Sequence, residues 1–154
     1  MPISGSLKAI ARLHHAGYRV VVATNQAGIG RGLFDIDDLN RIHEKMHKMV
    51  HEAGGHIDAV FFCPDADQDS DCRKPNPGML KDIARRLNIE LTSVPVVGDA
   101  LRDIQAARAV AAKPMLVRTG KGEMTLAGLK DLNGLWIFDD LRATVNFILS
   151  GQGK

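Results

Sequence analysis

The chain has 154 residues, the size of a single domain, and 45% of them are hydrophobic, which is enough to build a core. A formal net charge of +2 is too small to predict binding to nucleic acid or to a membrane surface. The chain has two cysteines, Cys63 and Cys72, no apolar run of membrane-spanning length and no signal peptide in its first residues, so we expect a cytoplasmic protein with reduced thiols.

Strand-like and helix-like segments alternate along the chain. Continuous apolar runs predict strands buried on both faces, and apolar residues three and four apart predict amphipathic helices. Their alternation predicts one domain with a three-layer, doubly wound α/β fold, in which helices cover both faces of a parallel sheet. In chain order, we predict a helix through Leu7 and Leu13, a strand from Arg19 to Thr24, a helix capped by Asp35 that ends at Gly54, a strand from Ile57 to Phe62, a helix through Leu80 and Leu87, a strand from Val94 to Val97, a helix through Ile104 and Ala107, strands from Met115 to Arg118 and from Leu135 to Phe138, and a last helix capped by Asp139 or Asp140.

The predicted helix after Asp35 carries its apolar residues and its histidines on different faces. The histidines are spaced four residues apart, which could form a metal-binding stripe, but they flank or oppose the apolar face. We therefore interpret them as part of a solvated polar face. The apolar face comprises Leu39, Ile42, Met46, Met49, Val50 and Ala53, and the histidines are His43, His47 and His51.

Polar residues follow three of the predicted strands. Thr24 ends the first strand, Lys74 lies in the loop after the second, and Asp99 follows the third. The carboxyl ends of parallel strands meet at one edge of a sheet, so we expect these three side chains to converge there. A hydroxyl and an ammonium group suit a phosphoryl group, and a carboxylate suits Mg²⁺.

Four sequence segments, VVVATNQAGIGRG, CRKPNPGM, VVGDALRD and LVRTGKGE, occur in this order along the chain. Together they resemble the motifs of the haloacid-dehalogenase superfamily of phosphatases, and within it the sugar-bisphosphate and histidinol-phosphate phosphatases. The glycine-rich segment is not a P-loop, because no Gly-Lys-Ser/Thr follows it. Taken singly, each residue has a structural interpretation: Thr24 as a strand former, Asp99 as a helix cap, and Arg73 and Lys74 as a solvated turn.

The resemblance implies a role for each matching residue. Thr24 would hydrogen-bond the transferring phosphoryl group, Lys74 would neutralise its charge, and Asp99 would bind Mg²⁺. Asp103 would orient Lys74 or support the metal. The resemblance further implies that Arg73 meets the remote phosphate of a bisphosphate substrate, and that three more residues contact substrate or phosphate: Asn25, Gln26 and Lys121.

The superfamily's first motif, Asp-x-Asp at the end of a central strand, is missing. Its first Asp is the nucleophile, which forms an aspartyl-phosphate. The alternating acids from Asp65 to Asp71 lie in a polar loop, and Asp139 and Asp140 are adjacent. The resemblance places the missing strand between the strands that end at Thr24 and Asp99. We therefore expect either a missing amino-terminal segment or a substitute strand, for instance from a neighbouring chain.

Two classes of function remain open at this stage. One is a Mg²⁺-dependent sugar-phosphate phosphatase that is active in its complete form. We expect it to be a monomer, or a strand-exchanged oligomer if the chain really lacks the strand. The other is a remnant that binds phosphate without turnover. The Asp-x-Asp motif distinguishes the two classes, because Thr24, Lys74 and Asp99 can bind and neutralise a phosphoryl group but cannot replace the nucleophile.

The loop between Cys63 and Cys72 resembles a structural zinc loop of relatives, with two departures. Asp65 stands where the relatives carry histidine, and Ser70 stands where they carry cysteine. A serine hydroxyl is a poor zinc ligand, so Cys63, Asp65 and Cys72 would hold zinc weakly. We expect little or no bound zinc.

Overall fold

A computed structural model describes residues 5–25, 32, 35–65, 67 and 69–151. Helices and parallel strands alternate along them, as the sequence predicts. The helices are α1 (Ser6–His15), α2 (Ile36–Glu52), α3 (Gly78–Leu87), α4 (Leu101–Ala109), α5 (Gly122–Gly128) and α6 (Leu141–Ser150), and the strands are β1 (Val21–Asn25), β2 (Ala59–Cys63), β3 (Pro95–Gly98), β4 (Lys113–Val117) and β5 (Trp136–Phe138).

The strands form two parallel sheets. In one sheet β1 pairs with β2, with Thr24 opposite Phe62, and in the other β4 lies between β3 and β5. Among the described residues, no strand bridges β1 and β3. The break therefore falls where the resemblance places an additional strand.

The burial of the strands reflects this break. Met115, Leu116 and Val117 of β4 are buried, whereas every residue of β1 and β3 is only partly buried. The inner strands of a parallel sheet are normally covered on both faces. The partial exposure of these apolar strands is therefore consistent with an open position between β1 and β3.

Helices join the two sheets across the break. On one face, Leu80 and Ile83 of α3 and Ala106 of α4 form a core cluster, which packs against Val21 and Ala23 of β1. On the other face, α1 packs against both α2 and α6. The result is the expected helix–sheet–helix arrangement, held together mainly by helix packing where the sheet is interrupted.

Helix caps agree with the sequence. The Asp35 carboxylate accepts a hydrogen bond from the Asp38 N–H over 2.8 Å in a reciprocal capping box. Asp140, rather than Asp139, caps α6 by accepting from the Ala143 N–H. Each cap satisfies one of the N–H groups that the first turn of a helix leaves without a partner.

The predicted faces of α2 need one correction. Leu39 and Val50 are buried as expected, but Ile42 is 58% exposed. His43 is partly buried instead, with its ring edge toward Phe62 of β2. Neighbouring residues of an α-helix point in different directions, so the contact of position 43 with β2 leaves position 42 toward solvent.

The short helix α5 was not predicted. It begins and ends with glycine, and its few apolar residues have no clear helical period. None of the described helices is long and apolar enough to cross a bilayer.

Candidate active site

Lys74 connects strand β1 with helix α4. Its Nζ atom donates a hydrogen bond to the Ala23 carbonyl at 3.1 Å and pairs with Asp103 Oδ1 at 2.6 Å. Each side chain of the ion pair is only 13% exposed, so water and salt screen the pair less than an ion pair at the surface. The ammonium group is thereby held between the carboxyl end of β1 and the first turn of α4.

Asp103 is itself fixed by local structure. Its Oδ2 atom accepts a hydrogen bond from the Ala100 N–H at 3.2 Å at the start of α4. A Cβ atom on Gly98 would lie 2.5 Å from Asp103 Oδ2, so β3 has to end in glycine for this carboxylate to fit. The contact between Asp103 and Lys74 that the resemblance implied is present, and its role in orienting Lys74 stays a prediction.

Asn25 contacts the backbone of Lys74 at two points. Its Nδ2 donates to the Lys74 carbonyl at 3.2 Å, and its Oδ1 accepts from the Lys74 N–H at 3.0 Å. Thr24, the residue before it, is partly buried at the carboxyl end of β1. The predicted contacts of Thr24 and Asn25 with a substrate are not tested by this geometry.

Asp99 lies in a cradle formed by the turn before α5. Its Oδ2 accepts from the Lys121 N–H at 3.0 Å, and its carbonyl accepts from the Thr125 hydroxyl at 2.7 Å. A Cβ atom on Gly120 would come within 2.3 Å of Asp99 Oδ2, and this glycine has a φ of +61°. The cradle holds one hard carboxylate at the carboxyl end of β3, which fits Mg²⁺, an ion that needs few protein ligands beside phosphate and water.

Three further predicted site residues are Arg73, Lys121 and Gln26. Arg73 is partly buried in the loop next to Lys74, and the Lys121 side chain is exposed while its backbone contacts Asp99. Gln26 lies outside the described residues.

The cysteine loop corrects one expectation. Cys63 and Cys72 form a disulfide with their Cα atoms 5.6 Å apart, so the prediction of reduced thiols is wrong for this structure. The fold brings the end of β2 within bridging distance of the loop before Lys74. The Asp65 carboxylate lies beside the disulfide and accepts from the Ser70 hydroxyl at 2.6 Å. A disulfide leaves no thiolates for zinc, and the expectation of little bound zinc stays a prediction.

Sequence reasoning missed Gly98, Gly120 and Thr125. Both glycines pack directly against a site carboxylate, and Thr125 binds the backbone of Asp99. The only signal in the sequence was the position of each glycine close to a candidate residue or within a motif.

Comparison with known proteins identifies the family. A HAD-hydrolase-like family model matches residues 71–144. The D-glycero-beta-D-manno-heptose-1,7-bisphosphate 7-phosphatase of Bordetella bronchiseptica is 51% identical over 150 residues, which cover 96% of this chain and 83% of that protein. The chain belongs to this family of HAD-like phosphatases. The family consists of phosphoric monoester hydrolases, which accords with a site of one ammonium and one cradled carboxylate.

Two solved structures of the phosphatase family share the fold. The B. bronchiseptica D,D-heptose 1,7-bisphosphate phosphatase, complexed with magnesium and phosphate, has a TM-score of 0.95 and 49% identity, and the match covers 98% of this chain and 85% of that one. The Burkholderia thailandensis phosphatase has a TM-score of 0.81 and 52% identity, with coverages of 97% and 87%. Each solved phosphatase therefore contains residues beyond those matched here.

Proposed function

We propose that this polypeptide, in its complete form, is a Mg²⁺-dependent phosphatase that removes the 7-phosphate of D-glycero-D-manno-heptose 1,7-bisphosphate. The observation that carries the proposal is the partly buried Lys74 ammonium, held by the Ala23 carbonyl and by Asp103 in the first turn of α4. The magnesium and phosphate of the B. bronchiseptica relative support it.

The site residues would share the work of binding and charge neutralisation. The Thr24 hydroxyl would donate a hydrogen bond to the transferring phosphoryl group, and the Lys74 ammonium would offset its negative charge. Asp99 would hold Mg²⁺, which, when bound, supplies further positive charge beside the phosphoryl oxygens. Arg73 would meet the remote phosphate, and Gln26 and Lys121 would be the other contacts.

The nucleophile has to come from elsewhere in the complete protein. Asp103 is engaged by Lys74, and Asp99 is held in the metal cradle, so neither carboxylate is placed to attack a phosphoryl group. We propose that an amino-terminal segment supplies the Asp-x-Asp motif on a strand between β1 and β3, where the two sheets separate. The 154-residue chain would then be a single, incomplete phosphatase domain.

A phosphate-binding remnant without turnover is the second candidate, favoured by the missing Asp-x-Asp. Sequencing the reading frame upstream of Met1 distinguishes the two, because only the enzyme requires a strand that ends in this motif.

We further propose that the complete protein acts in the cytoplasm as a monomer. Its partner would be a small sugar bisphosphate, and it would bind neither nucleic acid nor a membrane.

The decisive assay measures phosphate release with and without Mg²⁺. We expect the 154-residue chain to show no turnover of the heptose bisphosphate, and the chain extended by the missing strand to show Mg²⁺-dependent turnover. Lys74→Met in the extended protein should slow the reaction by about 10²–10³-fold. Robust turnover by the unextended chain would refute the proposed source of the nucleophile, and preference for histidinol phosphate would refute the proposed substrate.

A further inference from the structure

We infer that Asn25 is a positioning residue for Lys74 and acts on phosphate only through it. The inference rests on the proposed function in one respect: Lys74 is taken to meet the phosphoryl group. It replaces the earlier expectation that Asn25 contacts the substrate.

The geometry of the Asn25 amide carries the inference. The Lys74 N–H can only donate and the Lys74 carbonyl can only accept, so the two hydrogen bonds fix which end of the amide faces which group. The contact joins residues 49 positions apart in the sequence, and it is partly buried. The asparagine amide provides a donor and an acceptor on two separate atoms of one planar group, which match the carbonyl and the N–H of one residue.

Strand β1 holds Lys74 at both ends. The Asn25 side chain binds the Lys74 backbone, and the Ala23 carbonyl binds the Lys74 ammonium at 3.1 Å. A lysine side chain has four rotatable bonds and loses substantial entropy when it is ordered. When the Lys74 backbone is already fixed, Lys74 loses less entropy as phosphate binds. Loss of the Asn25 contact should therefore weaken the contribution of Lys74 to phosphate affinity.

A double-mutant cycle separates positioning from direct contact. The probe is inorganic phosphate, titrated into the full chain with Mg²⁺ present, for wild type, Asn25→Ala, Lys74→Met and the double variant. We expect Asn25→Ala to weaken phosphate binding by about threefold to tenfold, the range for one or two lost hydrogen bonds. In the Lys74→Met background the same change should have no further effect. Additive losses would mean a direct contact with phosphate and would overturn the inference.

A second readout reports on Lys74 without any ligand. The rate at which an acylating reagent modifies the Lys74 amine is measured by peptide mapping, with the other lysines as internal references. Asn25→Ala should accelerate modification of Lys74 by at least about threefold, because the ammonium is released from Ala23 and Asp103 more often. An unchanged rate would overturn the inference. This measurement needs no bound phosphate, so it tests the role of Asn25 separately from the proposed function.

The matched control is Asn76→Ala. Asn76 lies in the same loop, where its Nδ2 donates to the Ser70 carbonyl at 2.9 Å. Its removal should loosen the loop without accelerating Lys74 acylation, and equal acceleration in both variants would reduce Asn25 to a general loop stabiliser. Asn25→Asp, which keeps the acceptor for the Lys74 N–H and loses the donor, replaces Asn25→Ala if the latter does not fold.

Discussion

Lys74 and Asp103 form the least exposed ion pair within the described part of the chain. Removal of water strengthens their attraction, but each charge would be costly if its partner were lost. The remaining described pairs are more exposed, and three of them lie within single helices. We therefore expect the site pair to contribute more to stability than the helical pairs, which are exposed to solvent.

Asp103→Asn should lower the free energy of unfolding by about 1–3 kcal/mol, because the Lys74 ammonium loses its counter-charge in a partly buried place. The comparison is Asp82→Asn, which removes the surface pairs with Arg85 and Arg86 and should cost no more than about 1 kcal/mol. Urea unfolding at neutral pH measures both variants. Equal losses would show that burial of the site pair adds nothing.

Gly120→Ala should damage the Asp99 cradle. The new Cβ atom would lie 2.3 Å from Asp99 Oδ2, and the φ of +61° disfavours any side chain. We expect Mg²⁺ affinity, measured by calorimetry, to fall by about tenfold as the carboxylate is displaced. Gly128→Ala is the control in α5, because its Cβ atom meets nothing within 4 Å. Unchanged Mg²⁺ affinity in Gly120→Ala would contradict Asp99 as the metal ligand.

At the scale of elements, we expect the contact between α2 and β2 to depend on pH through His43. Burial against β2, with a smaller effect from the charge of His47, lowers the pKa of His43 below its usual value. A lowered pKa means that the folded state favours the neutral ring. The contact should therefore be fully stable above about pH 6.5, the pKa of histidine in the unfolded chain, and weaken as the pH falls through the lower, folded-state pKa.

His43→Leu removes this titration while keeping an apolar side chain on α2. We expect the variant to lose less stability than wild type between pH 7.5 and pH 5.5 in urea unfolding, because its side chain cannot become charged. His51→Leu, at an exposed position of the same helix, should follow wild type. Identical pH dependence of wild type and His43→Leu would show that other groups control acid stability.

At the scale of the whole molecule, the main feature is the break between β1 and β3, which separates the two sheets. Helices α3 and α4 join the two sheets, but the facing edges of β1 and β3 have no strand partner among the described residues. Backbone groups at such edges gain hydrogen bonds when a strand is added. A segment inserted there would close the sheet and place its carboxyl end near Lys74.

Extension by the missing strand should therefore slow hydrogen exchange in the strands beside the break. We expect the protection of amides in β1 and β3 to rise by at least about tenfold, and the midpoint of thermal unfolding to increase. Amides in β5, at the far edge of the other sheet, serve as the reference and should change less. Protection that appears only at β2 or β5 would place the added strand at an outer edge.

The sequence by itself determined the alternation of strands and helices, the cap at Asp35, and the family of phosphatases, because periodicity, capping and motifs are read over a few neighbouring residues. It left the last cap open between Asp139 and Asp140, and the structure shows Asp140. The sequence also suggested where the sheet would be interrupted. Only the tertiary structure decided which groups meet: Asn25 with the Lys74 backbone, Gly120 with Asp99, Cys63 with Cys72, and His43 rather than Ile42 against β2. These contacts join residues from different strands, helices and loops, and the pattern of side chains within one segment does not encode them.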